Sequence, residues 1–214
     1  MEPRHRAITE VALRAAGPFG FALAGGYAVR AYGIGDRPSG DVDLFTDWQR
    51  RADFPSAVDP VVEPLFRPGS GVRVPGPGQT FARLVVTAPG VAGEDKVELS
   101  ADWRAHPPVL LDIGPVLHVD DAVANKMCAL YGRALPRDFL DIDATVCSGR
   151  FTRERLLELA ANADGGFDPT MFAHALGALT QITDAAFAAY GATPEQIGSL
   201  RQRFARWREE LLQG

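Results

Sequence analysis

Lysine is nearly missing from this chain: Lys96 and Lys126 are its only two among 22 basic residues, the rest being arginine. A lysine at a chemically useful place therefore stands out. Cysteine is scarce too. Cys128 and Cys147 lie in apparent helices with no CxxC or metal spacing around them, which excludes a disulfide scaffold and reads as two buried thiols in a cytosolic protein. No apolar run approaches a transmembrane span, and MEPRHRAITE has no signal-peptide core, so the expected location is cytoplasmic with no membrane partner. His5, His106, His118 and His174 are scattered without partners at ligand spacing and read as structural or surface residues. GxSxG, GxxxxGK[ST] and HExxH are all absent, which removes the serine-hydrolase elbow, the P-loop and the zincin helix from consideration. The formal charge of −5 argues against a general nucleic-acid binder but leaves room for a local basic groove.

What is present is ordinary globular material. The 214 residues, 46% hydrophobic and 23% charged, suit one domain or two small ones. Ile8, Val11, Ala12 and Ala15 recur at helical spacing over 6–16, before Gly17-Pro18; FALAG (21–25) reads as a buried strand and YAVRAYG (27–33) as a helix. DRPSG (36–40) is turn material, and DVDLF (41–45) alternates as a strand, with Val42 and Leu44 on one face and Asp41, Asp43 and Phe45 on the other. Residues 57–63 suggest a strand, 67–79 a Pro- and Gly-rich loop or hairpin, and 81–89 with 96–103 a strand pair. From residue 120 the chain turns alanine-rich and helical, over 121–133, 137–147, 152–163, 169–189 and 194–212. Thr193-Pro194-Glu195-Gln196 carries the signals of a helix start. The expected fold is α+β: a mixed sheet with flanking helices over 1–118, then a helical domain over 119–214.

Asp41 and Asp43 lie two apart on the second strand, so both carboxylates leave one face. Two like charges at that spacing repel unless a divalent cation sits between them, and magnesium takes a few carboxylates plus waters and phosphate oxygens. Upstream, Gly25-Gly26 follows a strand and opens a helix, where backbone N–H groups approach phosphate closely. Ser39 adds a hydroxyl nearby. Singly, a DxD strand is most often a solvated face and a glycine pair only a tight turn; strand, GG, helix, turn and DxD strand in that order is far more specific.

FALAGGYAVRAYGIGDRPSGDVDLF resembles the first motif of the nucleotidyltransferase superfamily. Its Arg37, Ser39, Asp41 and Asp43 make it similar to the AbiEii-type, MenT-like nucleotidyltransferase toxins. DAVANKMCALYGR, with Asp121, Lys126, Ala129 and Arg133, and the following RDFLD (137–141) resemble that family's second signature. The two motifs cover about 20–45 and 119–145; the rest matches in general character. Two departures stand out: 14 residues separate Gly26 from Asp41, slightly long for the superfamily, and Tyr27 stands where a serine or small residue is common.

The second motif also has a bottom-up reading. Lys126, Leu130 and Arg133 share a helix face, as do Asp138 and Asp141. The bland account is an Arg137–Asp141 surface pair. Lys126, however, is flanked by Val123, Met127 and Leu130, and a desolvated ammonium needs an anion, either Asp141 or a triphosphate. Glu98 on KVELSAD is the candidate third metal carboxylate, with Asp102 in reserve; each reads equally as a solvent-facing strand residue. Arg201, Arg203, Arg206 and Arg208 alternate with Phe204, Trp207 and Leu211, as an amphipathic closing helix or an RNA-docking face.

The resemblance implies a magnesium-dependent enzyme in which an acceptor hydroxyl attacks the α-phosphorus of a nucleoside triphosphate and pyrophosphate leaves. Asp41, Asp43 and Glu98 would hold metal; Gly25, Gly26, Arg37, Ser39, Lys126 and Arg133 would bind nucleotide; Asp141 would orient Lys126 or take the acceptor's proton. It further implies a toxin with a cognate antitoxin and the 3′ end of tRNA as acceptor; a groove of Arg30, Arg37, Arg133 and Arg137 is the expected basic surface for such an RNA end. A small-molecule acceptor such as an aminoglycoside, and a degenerate domain without turnover, are the competing readings.

Overall fold

Alternation along DVDLFTD sets the centre of the first half of the chain. In the computed structural model, which describes residues 1–65, 71–73, 78–87 and 93–213, this segment is β2 (Asp41–Asp47), following α1 (Pro3–Ala16), β1 (Ala22–Leu23) and α2 (Gly25–Ala31). Then come α3 (Phe54–Leu65), β3 (Gly71–Arg73), β4 (Phe81–Thr87), β5 (Asp95–Asp102), β6 (Val109–Leu111) and β7 (Gly114–Val116). Among the described residues seven strands form one mixed sheet in the order β3-β4-β5-β2-β1-β7-β6. β2 runs parallel to β5 and antiparallel to β1, while β4 is antiparallel to β5. The fold is α+β, as the sequence predicts.

Val42, Leu44, Leu84, Val97 and Leu99 are fully buried on one face of the sheet. Asp41, Asp43, Phe45, Glu98, Ser100 and Asp102 are half-exposed on the other. A slip of one residue would carry the aspartates into the core and the valine and leucine out of it, so burial alone fixes the register. α1 and α3 pack against each other.

The expected strand over 57–63 is instead the middle of α3. Phe54, Ala57, Val58, Val61 and Leu65 are its buried residues, a helical stripe that overrides the prolines at 60 and 64. The Pro- and Gly-rich stretch 67–79 lies mostly outside the described residues; Gly71–Arg73 forms β3. The strand pair over 81–89 and 96–103 is present as β4 and β5. The hairpin of β6 and β7 has no counterpart in the sequence reading.

Contacts divide the chain into two compact units, Met1–Tyr32 with Ser39–Val119 and Gly33–Pro38 with Asp120–Gly214. The second contains α4 (Val119–Arg133) from Asp120 onward, α5 (Pro136–Cys147), α6 (Arg153–Ala163), α7 (Pro169–Leu176), α8 (Asp184–Ala188) and α9 (Pro194–Gln213). The single helix expected over 169–189 is broken: a 3₁₀ turn at Gly177–Gln181 follows α7, and Thr183 caps α8 by accepting from the Ala186 amide. α9 opens with a reciprocal capping box, Gln196 N–H donating to Thr193 Oγ1 at 3.2 Å and Thr193 N–H to Gln196 Oε1 at 2.8 Å. Phe139, Phe172, Phe204 and Trp207 stack through this unit with ring centroids 5.2–6.0 Å apart.

Candidate active site

The alternation of β2 brings Asp41 and Asp43 to one face, and the turn between β1 and α2 closes on them. Ala24 N–H donates to the Asp43 carbonyl at 2.8 Å. Gly25 follows with φ of 62°, and a methyl group there would lie 1.7 Å from Asp43 Oδ2. The turn thus requires glycine twice over, for its left-handed backbone and for the carboxylate pressed against it. In the parallel β2–β5 register Asp43 faces Glu98, Asp41 faces Lys96 and Asp47 faces Asp102.

Both third-carboxylate candidates are therefore on the face of the aspartates. Glu98, beside Asp43, accepts from Arg83 Nε at 2.8 Å and pairs with its NH2 at 2.6 Å. Asp102 lies farther along; burial pushes its carboxyl up, opposed by the Trp103 N–H it accepts. Asp41, Asp43 and Glu98 offer only hard carboxylate oxygens, and the glycine turn leaves the backbone close to one of them. That donor chemistry fits magnesium.

The sequence reading assigns no site role to Lys96, Tyr27 or His5. Lys96 is the second lysine of the chain, and only the strand register puts it beside Asp41. Tyr27, 2% exposed, donates its hydroxyl to the Ser39 carbonyl at 3.2 Å, and its oxygen lies 2.6 Å from His5 Nδ1. Burial pushes the phenol up, so at neutral pH it keeps the proton it donates. His5 Nε2 faces Asp95 Oδ1 at 3.3 Å, and Arg4 pairs with the same carboxylate. The isolation of the histidines in sequence thus misleads. His5 joins this buried chain, and the rings of His106 and His118 stack with centroids 4.3 Å apart.

In the helical unit the anion required by Lys126 is Asp141. Lys126 Nζ lies 2.9 Å from Asp141 Oδ2, with the two side chains 9% and 5% exposed. Arg37 grips the same carboxylate with both branches, Nε at 2.6 Å and NH2 at 2.8 Å. Burial acts to raise the Asp141 pKa, but Lys126 and Arg37 outweigh it and hold the carboxyl below its ordinary value. The bland Arg137–Asp141 pair is thereby replaced: Asp141 answers cations distant in sequence. Arg133 donates to Asp138 from Nε at 2.9 Å and NH2 at 2.7 Å, and Asp138 also accepts the Leu135 amide at 3.1 Å.

The arginines of α9 are largely structural. Arg203 grips Asp143 through two 2.7 Å bonds, and Arg201 donates to the Leu179 and Ile182 carbonyls and to Asp184. Neither belongs to a simply solvated basic face. Cys128 is half-buried and Cys147 exposed, against the expectation of two buried thiols, and no disulfide joins them. Among the described residues no helix is long and apolar enough to cross a membrane.

A mixed sheet thus carries a DxD strand closed by a glycine turn. The profile of the family described as "Nucleotidyl transferase AbiEii toxin, Type IV TA system" matches residues 12–204, and the chain belongs to this AbiEii nucleotidyltransferase toxin family. Membership implies a nucleoside triphosphate substrate and a cognate antitoxin. No curated protein sequence matches the chain. Solved structures share the fold at low identity. MenT4, a nucleotidyltransferase toxin from Mycobacterium tuberculosis H37Rv, is 20% identical with a TM-score of 0.59, over 96% of this chain and 86% of that one. JHP933 from Helicobacter pylori is 16% identical with a TM-score of 0.57, over 98% and 93%.

Proposed function

We propose that this enzyme is a magnesium-dependent toxin that transfers nucleotides from a nucleoside triphosphate to the 3′ end of tRNA. The observation that carries the reading is the carboxylate pair of β2 with the Gly25 turn closed against Asp43, in a chain of the AbiEii family. The acceptor hydroxyl oxygen forms a bond to the α-phosphorus as the bond to the β-phosphate oxygen breaks; pyrophosphate leaves and the hydroxyl proton passes to a base or to water.

Asp41 and Asp43 are assigned as the metal ligands, with Glu98 as a third that must exchange its bond to Arg83. A bound magnesium ion would supply charge neutralisation at the triphosphate and polarisation of the hydroxyl. Gly25 and Gly26 offer backbone N–H groups to phosphate, and Ser39 its hydroxyl. Lys126 is assigned to neutralise phosphate charge, with Arg37 and Arg133 assisting. Asp141 orients Lys126. A carboxylate already accepting from two cations and held below its ordinary pKa is a poor proton acceptor, which favours the orienting role over that of base.

The test incubates the protein with magnesium, each α-labelled nucleoside triphosphate in turn and total tRNA, with Asp41→Asn as control. Label on tRNA with the intact protein alone supports the reading. Transfer to aminoglycosides but not to RNA overturns the acceptor, and full activity in Asp41→Asn overturns the metal site.

A further inference from the structure

Tyr27 follows the glycine pair at a position where the superfamily commonly has a serine or small residue, a position from which a hydroxyl could meet phosphate. Here the ring is 2% exposed, and the hydroxyl is committed to the Ser39 carbonyl and to His5. A phenol has one proton to give. The 2.6 Å contact between the phenol oxygen and His5 Nδ1 holds the hydroxyl from its other side. His5 is itself 7% exposed, meets the Tyr27 ring edge-on at 5.6 Å, and is backed by Asp95.

The other end of this chain reaches Asp41. Ser39 is where the sequence re-enters the first unit after Gly33–Pro38, a stretch with neither helix nor strand in its last five residues. Its hydroxyl donates to the Asp41 carbonyl at 3.3 Å. Asp41 is the first residue of β2, so the ladder restrains it from one side only, whereas Asp43 sits inside the strand against the Gly25 turn.

We propose that Tyr27 is a positioning residue whose hydroxyl, held by His5, ties Ser39 and so fixes the start of β2 where Asp41 meets the cation. This rests on the metal assignment above. The Tyr27 hydroxyl is directed inward, to Ser39 and His5, as a brace rather than a phosphate contact.

The test measures Mn²⁺ binding to the full chain by electron paramagnetic resonance, without nucleotide, alongside magnesium-dependent turnover. Tyr27→Phe keeps the ring and removes the bond. Its Mn²⁺ dissociation constant and its magnesium half-saturation should both rise about three- to tenfold, the effect of losing one buried hydrogen bond, while turnover at saturating magnesium stays near wild type. His5→Leu should act the same way, and His5→Gln, whose amide can still hydrogen-bond the phenol, should recover most of the affinity. A merely structural role would lower thermal stability without moving the metal dependence. Unchanged Mn²⁺ affinity in Tyr27→Phe, with binding lost in Asp43→Asn, overturns the positioning role alone. Unchanged affinity in Asp43→Asn overturns the metal assignment and this proposal with it.

Discussion

Replacing Gly25 with alanine separates the two demands that its position makes. The backbone demand is common to any glycine at positive φ: a left-handed conformation costs an alanine about 1–2 kcal/mol. The contact demand is particular to this turn. An added methyl would stand 1.7 Å from Asp43 Oδ2, about half the distance at which a carbon and an oxygen normally meet, and 2.5 Å from its Cγ. No small adjustment relieves that overlap, so the Asp43 carboxylate must swing away or the turn must withdraw. Gly33 is the control, with φ of 75° and nothing within 4 Å of an added methyl. Denaturant unfolding should show Gly33→Ala destabilised by about 1–2 kcal/mol, and Gly25→Ala by more. Mn²⁺ binding and nucleotidyl transfer should stay near wild type in Gly33→Ala and fall at least a hundredfold in Gly25→Ala, as a displaced ligand in a positioned site requires. Gly25→Ala with wild-type metal affinity and turnover would refute the argument, for it would show that the Asp43 carboxylate works equally well elsewhere.

Asp141→Asn leaves two cations facing one neutral amide and should cost about 3–5 kcal/mol in denaturant unfolding, the usual result of breaking a buried pair. Because the folded pKa of Asp141 is depressed, its stabilisation is present above the unfolded value of about 3.9 and is lost as pH falls through the folded one; unfolding followed from pH 5 downward should show an acid limb that is shallower in Asp141→Asn. Arg203→Ala should cost about 1 kcal/mol, the upper range for a partly exposed pair, and leave the salt dependence of tRNA binding unchanged. A shallower salt slope would return α9 to the role of an RNA-docking face.

Alternation and local signals were enough for much of this protein. Val42 and Leu44 against Asp41 and Asp43 announce both the strand and its solvent face, because a strand's period of two admits no other arrangement with an apolar side buried. Gly25-Gly26 before a helix announces the turn, and Thr193 with Gln196 the start of α9, because capping is settled within one turn of chain. Pro60 and Pro64 disguised α3, since prolines weigh against a helix locally while the apolar stripe that forms it is satisfied only by tertiary packing, chiefly against α1. Strand pairing was equally out of reach: nothing near residue 41 says that Lys96 and Glu98 lie across from Asp41 and Asp43, because register joins segments more than fifty residues apart. Ion-pair partners followed the same rule. The sequence shows that Lys126 needs an anion and offers Arg137 as the local partner of Asp141, but a buried carboxylate is claimed by whichever cations the fold desolvates beside it. Arg37, 104 residues away, is one of them.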